Sequence, residues 1–248
     1  GFIAKNGKTR SIKPDFTERQ AAYSEPINLQ RERAMSSEQI IVQQPEEIAN
    51  QLILLFHGVG DNPISMGEIG KFFAVSFPKA QVISVGSPDI CDFGRGFQWF
   101  SVQGVTEQNR QPRVDAAMPA FVQIVRDWQQ KTGVTPEHTT LVGFSQGTIM
   151  ALESTKVEEH LASRIIAFSG RFSSLPEKPI AAGTVVHFIH GEQDPVINPF
   201  QSKSAAERLK SLGCDCTLDL QAGMAHGLDS HMINTAIAHL QNYQPKSH

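Results

Sequence analysis

Cysteine is scarce in this 248-residue chain, with three residues (Cys91, Cys214 and Cys216) that cannot all pair. A disulfide framework is therefore not expected, and a reducing, cytoplasmic setting fits such a chain. No run of about 18 or more apolar residues is present, which rules out an obvious membrane-spanning helix. Neither sign of charge dominates: Lys plus Arg is 22 against 25 for Asp plus Glu, a net charge of −3. The chain lacks the basic field that non-specific nucleic-acid binding draws on, so no nucleic-acid partner is expected. It also lacks a GxxxxGK[ST] phosphate loop, a glycine-rich dinucleotide fingerprint, an HExxH pair and any paired-cysteine metal spacing. No metal or organic cofactor is implied. There is no internal repeat and no low-complexity tract. With 40% hydrophobic and 19% charged residues, what remains is a globular chain of a size for one α/β domain.

The first 34 residues stand apart. They carry seven basic and four acidic side chains, +3 against −6 for the rest, and their apolar residues follow neither helical nor strand spacing. A secretory signal would need a continuous apolar core, and a targeting peptide would avoid Asp15, Glu18, Glu25 and Glu32. Residues 1–34 read as a flexible leader, either vector-derived or translated from upstream, with Met35 as the natural start. Residues 35–248 read as one domain.

Within that domain short apolar segments alternate with helical patterns. Strands are expected at Gln39 to Gln43, Gln51 to Phe56, Gln81 to Val85, Thr139 to Gly143, Arg164 to Phe168, Val185 to Ile189 and Cys214 to Leu220. Most are continuously apolar rather than alternating, as parallel strands covered on both faces are. Val114, Met118, Phe121, Val125 and Trp128 recur at helical spacing, with Pro119 marking a start or a kink. Ala205, Leu209 and Leu212 make a second stripe ended by Gly213, and Met232, Ile233, Ala236, Ile237 and Leu240 a third, capped by Asp229. This alternation predicts an α/β fold, a mainly parallel central sheet flanked by helices.

Gly143-Phe144-Ser145-Gln146-Gly147 matches G-x-S-x-G between an apolar strand and a helix-compatible run. A sharp strand-to-helix turn there lifts the Ser145 hydroxyl above the sheet, so Ser145 is the candidate nucleophile. A serine needs a base, and the base a carboxylate to hold its tautomer. In this arrangement the carboxylate and the histidine follow in that order. Asp194, just past the Val185 to Ile189 strand, is the candidate carboxylate, with Glu192 as runner-up. Of nine histidines, His226 in Gly223-Met224-Ala225-His226-Gly227 falls in the loop where the base belongs, with His231 as runner-up. The developing oxyanion needs two main-chain donors. Gln146 supplies one, and the loop His57-Gly58-Val59-Gly60-Asp61 the other, through Val59.

HGVGD, GFSQG, GEQDP and GMAHG, in that order, resemble the carboxylesterase/lysophospholipase and acyl-protein thioesterase branch of the α/β-hydrolases, its small bacterial esterases in particular. The likeness runs from about Gln51 to Leu240. It implies an α/β-hydrolase fold, Ser145, Asp194 and His226 as the triad, and Val59 and Gln146 as oxyanion donors. Gln98-Trp99-Phe100 is similar to the family's segment on the pocket wall, making Trp99 and Phe100 the substrate-binding candidates. Ser101 stands where the family often has Asp, and Thr148 where it often has Gly.

The resulting expectation is a serine hydrolase, a carboxylesterase acting on a small acyl ester through an acyl-enzyme on Ser145. Acyl-thioesterase or lysophospholipase activity on the same triad is the alternative, ahead of a peptidase, an acyltransferase or a non-catalytic binding protein. The domain is too short for a separate cap, and the Gly86 to Pro112 stretch, with Phe93, Phe97, Trp99 and Phe100, is the candidate acyl wall. A pocket walled on one side suits short- to medium-chain acyl groups.

Overall fold

The computed structural model describes residues 10–12 and 38–246. Ten strands are present there: β1 (Arg10–Ile12), β2 (Gln39–Gln43), β3 (Gln51–Phe56), β4 (Ala80–Val85), β5 (Asp89–Ile90), β6 (Phe97–Gln98), β7 (Thr139–Phe144), β8 (Arg164–Phe168), β9 (Val185–Gly191) and β10 (Cys216–Gln221). The helices are α1 (Pro63–Ser76), α2 (Arg110–Thr132), α3 (Gln146–Val157), α4 (Phe200–Ser211) and α5 (Ser230–Asn242). Eight strands form the main sheet in the order β1-β2-β4-β3-β7-β8-β9-β10. From β4 to β10 all neighbours are parallel, while β2 runs antiparallel to β4 and β1 to β2. β1 comes from inside the stretch read as a leader, pairing Arg10 to Ile12 with Ile41 to Gln39. The rest of that stretch lies outside the described residues.

The parallel strands from β4 to β9 are buried on both faces, with the edge strand β10 half-buried, and their alternation sorts the core into two halves. On β3, Leu52, Leu54 and Phe56 face α2, α3 and α4 with Val114, Phe121, Ile149 and Leu209. Ile53 and Leu55 face α1 and α5 with Met66, Phe73, Met232 and Ile233. This is the covered parallel sheet that the continuous apolar runs predict, in the α/β-hydrolase arrangement and with no cap domain among the described residues.

The helix ends follow their local chemistry. Asp229 accepts the Met232 N–H to cap α5, and Gly213 at φ 76° ends α4 while Cys214 N–H returns to Leu209 C=O. Of the two readings of Pro119, a start or a kink, the start is not what the structure has: Pro119 lies inside the 23-residue α2, on the solvent side where one lost N–H bond is tolerable. The last strand begins at Cys216 rather than Cys214, because Cys214 is used in closing α4.

Candidate active site

β3 and β7 are neighbours at the sheet's centre, and the chain leaves them toward opposite sides of the sheet: β3 connects to β4, β7 to β8. That switch point opens a crevice at the strands' C-terminal edge. The β3 exit carries Val59, the β7 exit Ser145, the β9 exit Asp194 and the β10 exit His226. Four separate loops thus converge on one edge.

Ser145 sits at φ 54°, ψ −114°, a backbone conformation a non-glycine residue holds only when its surroundings force it. The forcing comes from two close approaches. A Cβ on Gly143 would stand 2.5 Å from the Thr148 backbone, and one on Gly147 would stand 2.1 Å from the Phe56 carbonyl oxygen. The glycines are required by crowding of helix on strand, while the unusual dihedral belongs to Ser145 itself. Ser145 N–H bonds to Phe168 C=O, tying the turn to β8.

His226 Nε2 lies 3.1 Å from Ser145 Oγ, and its Nδ1 lies 2.7 Å from Asp194 Oδ2. Asp194 can only accept, so Nδ1 carries the hydrogen and the Nε2 lone pair faces the serine hydroxyl. The side chain of Asp194 is fully buried, and its Oδ1 accepts from the Val196 and Ile197 N–H groups. The loops carrying Asp194 and His226 touch through their main chains. Gln193 N–H bonds to Met224 C=O, and a Cβ on Gly191 would meet the Met224 and Ala225 carbonyls at 2.5 Å. The Phe144 ring packs 4.9 Å from the His226 ring. Glu192 and His231 are exposed and stand outside this chain of bonds.

The loop after β3 is held from three sides. His57 is buried, with Nδ1 2.7 Å from Gly58 C=O and Nε2 accepting from the Ser87 N–H at 3.0 Å. Burial lowers its pKa, so the imidazole is neutral, as an acceptor nitrogen must be. Gly60 at φ 79° donates to Phe97 C=O, and Phe97 N–H returns to Asp61 C=O. Gly58 lies against Ser145, where a Cβ would be 3.3 Å from the serine Cβ. Gln146 opens α3, where main-chain N–H groups have no acceptor within the helix.

Trp99 and Phe100 are buried, at 3% and 6% exposure. Trp99 packs edge-on to Phe121 at 5.3 Å and near Phe56 at 6.4 Å. The structure puts both in the buried cluster that also holds Phe56, Val114 and Phe121. Cys91, Cys214 and Cys216 are all free thiols. Asp215 and Asp219 have partners of their own, in Tyr243 and His239. His57 and His190 are the residues near the site that pattern reading passes over. Their signal was their adjacency to the two glycine-containing loops, HGVGD and HGEQD.

The phospholipase/carboxylesterase family model matches residues 37–244. The chain belongs to this family. Among curated relatives, the esterase YpfH of Escherichia coli is 52% identical over 212 residues, covering 86% of this chain and 91% of that one. Acyl-protein thioesterase 1 of Kluyveromyces lactis is 28% identical over 177 residues, covering 64% and 76%. Among solved structures, esterase PE8 superposes with a TM-score of 0.75 at 32% identity, over 80% of this chain and 95% of that one. The carboxylesterase of Bacillus cereus shares the fold, with a TM-score of 0.70 at 15% identity, over 86% and 97%. Family membership makes the chain a carboxylesterase-type hydrolase. No helix among the described residues is long and apolar enough to cross a membrane.

Proposed function

We propose that this protein hydrolyses small acyl esters through an acyl-enzyme on Ser145, with His226 as general base and acid and Asp194 as its orienting carboxylate. The observation that carries the reading is the unbroken run of bonds from Ser145 Oγ through His226 to Asp194, on a serine held at positive φ. His226 Nε2 takes the hydroxyl proton as Ser145 Oγ bonds to the ester carbonyl carbon. The carbonyl oxygen becomes an oxyanion that accepts from the Val59 and Gln146 N–H groups, donors worth about 10²–10³ in rate each where measured in other hydrolases. The carbon–oxygen bond to the leaving group then breaks, and His226 delivers its proton to the departing alcohol. Water enters and gives its proton to His226 as its oxygen bonds to the acyl carbon; the bond from that carbon to Ser145 Oγ then breaks, His226 returns its proton to Ser145 Oγ, and the acid leaves. The exit of the proton to a leaving oxygen or sulfur uses the same geometry, and relatives named esterase and acyl-protein thioesterase fit both leaving groups.

The test is a hydrolysis panel of matched oxygen esters, thioesters and amides, with Ser145→Ala as control. Ester turnover should exceed thioester turnover and fall by about 10⁶ in Ser145→Ala, with the Tm within a few degrees of wild type. A Ser145→Ala protein that keeps substantial turnover removes Ser145 from the mechanism. Thioester turnover above ester turnover moves the reading to a thioesterase on the same triad.

A further inference from the structure

A second imidazole stands behind the candidate triad. His190, at the end of β9, has a fully buried side chain, and its Nε2 lies 2.8 Å from Ile197 C=O and 3.3 Å from Asp194 Oδ2. Both neighbours are acceptors only, so Nε2 carries the hydrogen. Its Nδ1 lies 2.6 Å from Ser202 Oγ in the first turn of α4, and so accepts the Ser202 O–H. Burial lowers the His190 pKa, in keeping with this neutral form. The charged and titratable groups acting on it are Asp194 and His226. Its other neighbours, Ser202 and Ile197, are uncharged.

The geometry points to His190 as a positioning residue for the Asp194 carboxylate, anchored by Ser202; this rests on the triad reading above. Asp194 Oδ1 is held by the Val196 and Ile197 N–H groups, so the carboxylate turns with the 194–197 segment. Ile197 is in turn fixed at its carbonyl by the His190 N–H, and His190 is fixed by Ser202. The same Nε2 lies 3.3 Å from Oδ2, the oxygen that receives His226 Nδ1–H at 2.7 Å. Without it the two N–H bonds to Oδ1 remain, but Ile197 loses the anchor on its carbonyl and Oδ2 loses its second neighbour, so the aim of the carboxylate at His226 loosens. A less well-aimed Asp194 stabilises the His226 imidazolium less, which slows proton transfer and makes His226 a weaker base.

Three variants test this: His190→Leu, His190→Gln and Ser202→Ala, each read by kcat, KM and the acid limb of kcat/KM. In His190→Leu, kcat should fall about 10- to 100-fold, a fraction of the ~10⁴ lost when a triad aspartate is disabled. KM should stay close to wild type, since His190 does not face the crevice. The acid limb should move down by about half a pH unit or more as the carboxylate's hold on His226 weakens. His190→Gln, whose amide N–H can reach Ile197 C=O, should recover most of kcat and return the limb. Ser202→Ala should shift both in the same direction by less. A folded His190→Leu with wild-type kcat and an unmoved limb overturns the proposal, as does a limb that moves upward. If His190→Leu does not fold, a Ser202→Ala protein with wild-type kcat and limb overturns it alone. A dead Ser145→Ala beside an unaltered His190→Leu separates failure of this inference from failure of the triad.

Discussion

The side chain of Gln146 is bonded to the backbone at Trp99: its Oε1 accepts the Trp99 N–H at 2.7 Å, and its Nε2 donates to the next carbonyl, that of Phe100, at 2.9 Å. The residue after the candidate nucleophile therefore locks the loop between β4 and α2 onto the elbow, separately from its own N–H. Both bonded main-chain groups are buried, so Gln146→Ala leaves a donor and an acceptor without partners. Each such loss costs about 1–3 kcal/mol. The expected outcome is about 2–4 kcal/mol lost in urea unfolding and a clear fall in kcat/KM, although the alanine keeps the main-chain N–H. Unchanged stability would mean that water replaces the amide.

Much of this arrangement is legible in the sequence, because parallel strands announce themselves as apolar runs and the reactive residues cluster in glycine-flanked loops. The β2, β3 and β8 strands stand where the spacing places them, and β4, β7 and β9 differ by one or two residues at an end. Helix α1 is harder to see. Its buried face is Pro63, Met66, Gly67, Gly70, Phe73 and Ala74, at helical spacing, but two of the six are glycines. They are small because the helix lies on the sheet: a Cβ at Gly70 would meet Val42 and Leu55 at 3.1–3.2 Å. Asn62, which caps the helix through the Ser65 N–H, followed by Pro63, was the available signal. The β5–β6 hairpin, two residues a strand, has no periodicity to read. The aromatic density of the Gly86 to Pro112 loop cannot be apportioned from sequence between packing and a binding wall. Apolar surface looks alike in both uses.

The two departures from the family's usual residues have local explanations. Ser101 donates its hydroxyl to Asp92, so a carboxylate is still bonded at this point of the loop. Thr148 donates to Phe168 C=O, and its methyl occupies the place of a Cβ on Gly170, 2.3 Å away. Gly170→Ala should therefore destabilise by about 1–3 kcal/mol. In a Thr148→Gly background the same change should cost less, with a coupling of about 1–2 kcal/mol. Additive effects in the double-mutant cycle would show that the two positions do not compete for space.

Stability should depend on acid through a histidine remote from the site. His187 on β9 accepts from Arg164 at Nε2 and donates from Nδ1 to Thr217 Oγ1, with its ring stacked 4.7 Å from that of His239. Burial, reinforced by the His239 and Arg164 charges, lowers its pKa from 6.5 to about 3. Between those values the unfolded chain binds a proton that the folded chain refuses. The His187 contribution is thus complete above about pH 6.5 and is lost as pH falls toward 3. The urea midpoint should drop across that window. His187→Gln, though less stable at pH 7, should lose less between pH 7 and pH 4. Equal losses in the two proteins would acquit His187.

The acyl preference expected of this protein rests on how the loop after β4 is fixed. Trp99 and Phe100 are packed into the core, the loop is bonded to the loop after β3 through Phe97, and Gly96 at φ 67° backs onto the Gly60 carbonyl, where a Cβ would stand 2.2 Å away. Phe93, by contrast, is 71% exposed. A wall anchored at both ends has little freedom to open a deeper channel, so methylenes beyond a short chain gain little of the ~0.8 kcal/mol that full burial gives each one. kcat/KM should therefore peak with short- to medium-chain acyl esters and decline for long ones. Trp99→Ala should lower kcat/KM and also remove about 3–5 kcal/mol of stability, since it empties a core site. Specificity that climbs steadily to palmitoyl esters would require a continuous apolar channel and would refute this account of the wall.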